Sequence, residues 1–79
     1  MLTVLASADK VIGIKQTKKA INSKLAKKVF VSLNADPAIR DEITFLAKSA
    51  DIEVVEVATM DELGRASGIS VGAACAAIV

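Results

Sequence analysis

Apolar residues along the chain alternate between helical spacing and strand-like runs, with a turn signal at each change. Leu2, Leu5 and Ala6 stand at i, i+3 and i+4, which predicts a short first helix ending near Ser7-Ala8. Lys10-Val11-Ile12 reads as a brief extended stretch running into Gly13. Beyond that glycine, Ile14, Ile21 and Leu25 mark the inward side of a second helix. Lys15, Lys18 and Lys19 mark its outward side, and Asn22-Ser23-Lys24 its frayed end. Val29-Phe30-Val31-Ser32-Leu33 is β-rich and almost wholly apolar, as expected of a strand covered on both faces and central in its sheet.

The second half carries clearer punctuation. Asp36-Pro37 is a helix start, with the aspartate as N-cap and the proline where a missing N–H costs nothing. Ile39, Ile43, Leu46, Ala47 and Ala50 form the buried stripe of that helix. Ile52 to Val57 is a second strand, and Thr59-Met60-Asp61-Glu62 is a capping box opening a helix that ends at Gly68, its C′ residue. Val71 to Val79 is a final strand so rich in alanine and glycine that a helix can lie close to it. Strand, helix, strand, helix, strand at this spacing predicts right-handed crossovers. The expected fold is a single-domain, three-layer α/β/α sandwich over residues 1–79. Its sheet is small and four-stranded, largely parallel or mixed.

Composition narrows the chemistry. The 79 residues are 53% hydrophobic but only 3% aromatic, so the core must be aliphatic and closely packed, and a domain of this size buries only about 60% of its unfolded surface. No apolar run reaches the ~20 residues that cross a bilayer, and the charges from Asp9 onward come too early for a secretory signal, so the expected location is the cytoplasm. There is no His, Trp or Tyr, and the single Cys75 lies in an apolar run, so it reads as a buried inert thiol. Without those residues most acid–base, nucleophilic and metal constellations cannot be assembled. No enzymatic activity, metal or cofactor is expected. The acids Asp41-Glu42 and Asp61-Glu62 are expected in first helical turns, complementing the helix dipole.

The net charge of +1 conceals a polar molecule. Residues 1–30 hold seven lysines against Asp9 alone, a net of +6, whereas the remainder holds Arg40, Lys48 and Arg65 against eight acids, a net of −5. A basic end invites phosphates. The segment Gly13-Ile14-Lys15-Gln16-Thr17-Lys18-Lys19 has a glycine followed at once by a helix start crowded with donors, which makes an anion site that a ligand backbone can approach. Lys15 and Gln16 can also bond base edges. A merely solvated helix start competes with that reading. The second candidate is Gly68-Ile69-Ser70-Val71-Gly72, whose Ile69 and Val71 either plug the sheet edge or offer apolar contacts to an unstacked base. With no aromatic platform, single-strand binding by stacking is disfavoured, which favours recognition of a folded RNA shape.

Gly13 to Lys19, the Ala35-Asp36-Pro37 helix start, and Glu62 to Ile69 followed by Val71-Gly72-Ala73-Ala74 together resemble the kink-turn-binding ribosomal-protein superfamily. The likeness is greatest to the short bacterial members related to archaeal ribosomal protein L7Ae, and it covers essentially the whole chain. The resemblance implies an α/β/α sandwich that binds kink-turns, bent duplexes with sheared tandem G·A pairs beside a three-nucleotide bulge. Carried over by position, Gly13, Lys15, Gln16 and Lys19 would contact the G·A pairs and adjoining phosphates, within a site that also takes in Ile14 and Lys18. Ile69, Ser70 and Val71, led by Gly68, would meet the bulge, with the apolar pair against the flipped-out base. Archaeal and eukaryotic members carry Asn-Glu where this chain has Lys15-Gln16, a pair typical of the bacterial branch. That exchange makes the site more cationic and its binding more salt-sensitive. The partner so implied is a structured RNA containing a kink-turn, on the ribosome or elsewhere, met by a monomer with no membrane involved. The alternatives are a protein-interaction module built on Ile69 and Val71 and, with little support, a small-molecule binder or enzyme using the crevice at the strand C-termini.

Overall fold

The computed structural model describes residues 9–79, so the helix expected around Leu2, Leu5 and Ala6 lies outside the described residues. The described elements are β1 (Lys10–Ile12), α1 (Ile14–Asn22), β2 (Lys28–Ser32), α2 (Pro37–Ser49), β3 (Glu53–Val57), α3 (Met60–Ala66) and β4 (Cys75–Ile78). The sheet order is β1-β4-β2-β3. β2 and β3 run parallel, while β4 is antiparallel to both β1 and β2. Of the two expected forms the sheet is therefore the mixed one.

Strand alternation sorts the core into two layers of contact. Val29 and Val54, Cys75 and Ala77, and Val11 point to the face covered by α1 and α2, where Ala20, Ile21, Ile43 and Ala47 meet them. Phe30, Val55, Ala76 and Ile12 point to the opposite face, covered by α3 through Leu63. β2 is buried on both sides as its apolar run requires, with Val29 and Phe30 wholly excluded from solvent. Burying a side chain such as Phe30 contributes about 2–3 kcal/mol. The small residues Cys75, Ala76 and Ala77 let helices close on the middle of the sheet from both sides.

Several boundaries differ from those expected, each for a local reason. The last strand begins at Cys75 rather than Val71, because the backbone before it bonds elsewhere: Ala73 N donates to Met60 O at 3.0 Å. α1 ends at Asn22, so Leu25 falls in a turn and is 62% exposed rather than inward. There Lys24 N donates to Ile21 O and Leu25 N to Ala20 O, with Lys24 at φ +60°, the bond pattern of a Schellman cap. Leu33 lies one residue past β2 and is exposed, Ala50 is the exposed C-cap of α2, and β3 starts at Glu53 because Ile52 N closes the end of α2 on Ala47 O.

The helix starts in the second half are as the sequence predicts. Asp36 Oδ1 accepts from Ala38 N at 2.9 Å with Pro37 at the first helical position. Thr59 Oγ1 accepts from Glu62 N at 3.1 Å, the threonine half of the capping box. Each such cap contributes about 1 kcal/mol. Asp61 and Glu62 occupy the first turn of α3, but Asp41 and Glu42 lie beyond the first turn of α2, so the dipole role expected for that pair is not theirs. Glu42 instead binds Lys18.

Candidate functional site

The site begins at Gly13, where β1 turns into α1. Its φ of +105° and ψ of 164° belong to a region that side chains other than glycine's avoid, and a Cβ added there would meet nothing within 4 Å. Conformation rather than crowding demands glycine at this corner. Gly13 N donates to Cys75 O at 2.9 Å, and Thr17 N returns to Gly13 O at 3.0 Å. The N–H groups of Ile14, Lys15 and Gln16 consequently have no acceptor among the described residues. No side chain caps this helix and no acid stands in its first turn. α2 and α3 are capped by Asp36 and Thr59, which leaves α1 as the one described helix start open to an anion.

The lysines around it divide. Lys15 and Lys19, one turn apart, are exposed together with Gln16. Lys18 turns toward α2, where its Nζ lies 2.9 Å from Glu42 Oε1 with both side chains part-exposed, a pair worth less than about 1 kcal/mol. The three-lysine outward face expected from the sequence is thus two lysines and a helix-to-helix tie. Ile14 is half-buried against the α1–α2 core and anchors the turn, and Thr17 is fully buried beneath it. Burial pushes the Cys75 thiol up, opposed by the neighbouring Thr17 hydroxyl and by Lys18. The hydroxyl contact is weak, since Thr17 Oγ1 has no hydrogen-bond partner of good geometry among the described residues.

The second motif arrives at the same corner from the other side. α3 closes in a Schellman cap: Gly68, at φ +86°, donates to Arg65 O, and Ile69 N donates to Gly64 O. The chain then folds back over the helix so tightly that a Cβ on Gly64 would stand 2.0 Å from Val71 O, and one on Gly72 would stand 3.1 Å from Met60 Cβ. Ser32 finishes the clamp, its N donating to Ala74 O at 2.9 Å and its Oγ to Ala73 O at 2.7 Å. Ala74 leads directly into Cys75, to which Gly13 is bonded. Three residues separate Val71 from Cys75, which places Val71 within about 14 Å of the residue that holds the α1 start by the reach of the chain.

Within the loop, Ile69 and Val71 do different things. Ile69 is half-buried and packs on the Phe30–Leu63 cluster, whereas Val71 is 69% exposed beside the exposed Gly68 and Ser70. The Leu33–Asp36 turn shares this end of the sheet. Arg40 Nη1 donates to Leu33 O at 2.6 Å, and Asn34 Oδ1 accepts from Met60 N at 2.8 Å, so the turn ties α2 to the start of α3.

Two hollows adjoin the site. One, of about 300 Å³, lies between α3 and the loop and is lined by Asp61, Arg65, Ile69, Ser70 and Val71. The other, about 190 Å³ and mostly apolar, is floored by Val11, Ala20, Leu25 and Val79, with Gln16, Lys19 and Ser23 along its side. Sequence reasoning placed neither Asp61 nor Arg65 at the site, although their i, i+4 spacing across a helix that precedes the loop was the available signal. Among the described residues no group of three or more His, Cys, Asp or Glu residues is arranged to hold a metal, and no helix is long and apolar enough to cross a membrane.

The same arrangement of sequence and fold recurs in characterised proteins. The chain is 42% identical over 76 residues to an RNA-binding protein of Geobacillus sp. (strain WCH70), covering 96% of this chain and 93% of that one. It is 46% identical over 68 residues to the large ribosomal subunit protein eL8 of Halobacterium salinarum, covering 85% of this chain and 57% of the relative. Among solved structures, the Giardia lamblia 15.5kD RNA binding protein superposes with a TM-score of 0.85 at 26% identity, over 98% of this chain and 66% of that one. The model of one family matches residues 2–79, nearly the full length, and the chain belongs to it: the ribosomal protein L7Ae/L30e/S12e/Gadd45 family.

Proposed function

We propose that this protein binds RNA without catalysing a reaction, and that it recognises and stabilises a kink-turn. The observation that carries the proposal is the open start of α1. Three backbone N–H groups without acceptors, flanked by exposed Lys15, Gln16 and Lys19, stand beside a loop held rigid by Gly64, Gly72 and Ser32. The names of the relatives, RNA-binding protein and large ribosomal subunit protein, support the same class of partner.

On this proposal the α1 start takes phosphates and the edges of the G·A pairs, with Gly13 allowing close approach of the RNA backbone. Lys15 donates to guanine O6 or N7 and Gln16 both donates and accepts. Lys19 adds charge one turn further along α1, and Ile14 and Lys18 hold the turn from behind. Gly68, Ile69, Ser70 and Val71 meet the bulge, with Val71 as the exposed apolar contact and Ile69 as its buried anchor. Binding a bent RNA better than its extended form shifts the RNA toward the bend by the difference in affinity. The protein acts as a monomeric cytoplasmic domain, and the RNA belongs to the ribosome or to another kink-turn-bearing transcript.

The test uses Lys15→Ala and Gln16→Ala against a kink-turn RNA and a copy with its G·A pairs replaced. Each variant is expected to lose roughly 1–3 kcal/mol on the intact RNA and far less on the altered one. Equal losses on both RNAs would reduce the segment to a non-specific phosphate contact.

A further inference from the structure

The sheet ends on β3, which pairs with β2 alone among the described strands. Leu33 N donates to Val57 O at 2.8 Å, and alternation along the strand then turns the backbone of Val57, Val55 and Glu53 toward β2. The N–H and C=O groups of Val54 and Glu56 point out of the sheet and bond nothing among the described residues. The register with β2 runs unbroken over the five residues of β3, with no bulge and no proline to blunt the edge. Val54 and Val55 are half-buried between the exposed Glu53 and Glu56. Glu53 reaches Lys28 only at 3.8 Å and stays 62% exposed, and Glu56 has no ion pair among the described residues.

We propose that this edge takes up an extended segment of another protein as a further strand, and that the segment is basic, with two positive residues enclosing two apolar ones. The open backbone groups of Val54 and Glu56 supply the main-chain bonds by which an exposed sheet edge captures a peptide. Specificity comes from the side chains directly opposite. Glu53 and Glu56 stand three positions apart and hence on opposite faces of the sheet. A lysine or arginine facing each must also be three apart, with Val54 and Val55 between them against apolar residues. That pattern reads alike in both directions, so it fits a strand of either polarity. The charge distribution selects this occupant over a second copy of the chain. Residues 31–79 hold three bases against eight acids. Two β3 strands joined edge to edge about a two-fold axis would set the Glu56 side chains of both copies diagonally on one face, where their charges repel. β4 and β2 lie between β3 and β1, so the edge is separate from the α1 start that follows β1.

The experiment titrates the isotope-labelled full chain with two end-blocked peptides of one composition, and NMR amide signals report binding residue by residue. The first peptide has lysine, valine, valine, lysine at its centre, and the second has lysine and valine alternating there. The first is expected to shift the Val54 and Glu56 amide protons, to slow their exchange with solvent, and to bind roughly 2- to 5-fold tighter than the second, the worth of one opposite-charge pair. Glu56→Lys is expected to weaken the first peptide by roughly 2- to 30-fold, since it turns that pair into a like-charge one. Val54→Pro removes an outward N–H that no bond of the fold uses, so it is expected to stay folded by circular dichroism and to lose the peptide. Absence of binding, shifts centred away from β3, or equal affinity for the two peptides overturns the proposal. Protection of the Val54 and Glu56 amides that grows with protein concentration, without any peptide, also overturns it and gives the edge to a second copy. If Val54→Pro does not fold, the two peptides and Glu56→Lys decide the matter.

Discussion

Gly64→Ala is a one-carbon change whose consequences can be worked from the structure. The new Cβ would stand 2.0 Å from Val71 O and 3.0 Å from the carbon bearing it, whereas ordinary contact begins at 3.4 Å. The loop must therefore retreat by about 1.4 Å, the difference between those distances. It is held in place by Ala73 N on Met60 O, Ile69 N on Gly64 O and Ser32 Oγ on Ala73 O, and retreat strains or breaks at least one of them. Overpacking costs about 1–3 kcal/mol and a lost hydrogen bond about 1 kcal/mol, while alanine regains only about 0.5–1 kcal/mol of helix propensity. The expected net loss is about 1–3 kcal/mol, or a fall in Tm of roughly 4–24 °C for a domain this small. Urea unfolding measures the loss, and titration with a kink-turn RNA at a temperature where the variant is folded measures what happens to the site. Affinity should fall with stability, because Ile69, Ser70 and Val71 move with the loop. A variant as stable as the wild type would refute the packing argument, and a destabilised one with unchanged affinity would remove the loop from the site.

Other consequences are as specific. Lys24 holds φ +60° in the cap of α1, so Lys24→Gly should stabilise the fold by about 0.5–1 kcal/mol in urea unfolding, an outcome that a native interaction of the Lys24 side chain would reverse. Lys15→Ala and Lys19→Ala should each lower the slope of log affinity against log salt by about 1, whereas Lys18→Ala, already paired with Glu42, should change it much less. Since burial raises the pKa of the Cys75 thiol, the unfolded chain releases its proton at lower pH than the folded one. Stability should then decline as pH rises through the ordinary thiol range near 8.5, and Cys75→Ala should remove that decline, as pH-dependent urea melts would show. For the same reason an alkylating reagent should label Cys75 only as fast as the protein opens.

Local rules made much of the fold legible. The buried run at Val29–Ser32, the Asp36-Pro37 start and the Thr59 cap each depend on neighbours within a few residues, and each stands where the sequence placed it. What escaped depends on contacts between distant residues. Val71 to Ala74 have strand-like composition, but the glycines at 64 and 72 bring their backbone onto α3, and Ala73 bonds Met60 in place of a strand neighbour. Leu25 fits the helical period of α1, yet the helix has already turned at Ser23. The Gly13 and Gly68 motifs were recognisable as glycine-bearing segments. Their meeting at one corner was not, because it follows from the antiparallel pairing of β1 with β4, which adjacency in sequence does not reveal. Asp61 stands in the first turn of α3 as the sequence predicts, but its place in the lining of a hollow depends on the loop that folds back over the helix, and Lys18 looked equivalent to Lys15 until α2 supplied Glu42.

The central claim is that the corner formed by α1 and the 68–72 loop recognises a bent RNA shape. The most direct measurement is a titration of the protein into a kink-turn RNA carrying a fluorescent donor and acceptor on its two arms, beside a control with the G·A pairs replaced, at one salt concentration. Tight binding coupled to a rise in energy transfer, seen with the first RNA alone, is the result predicted. Equal weak binding to both, without bending, would contradict it and leave α1 as a general phosphate contact.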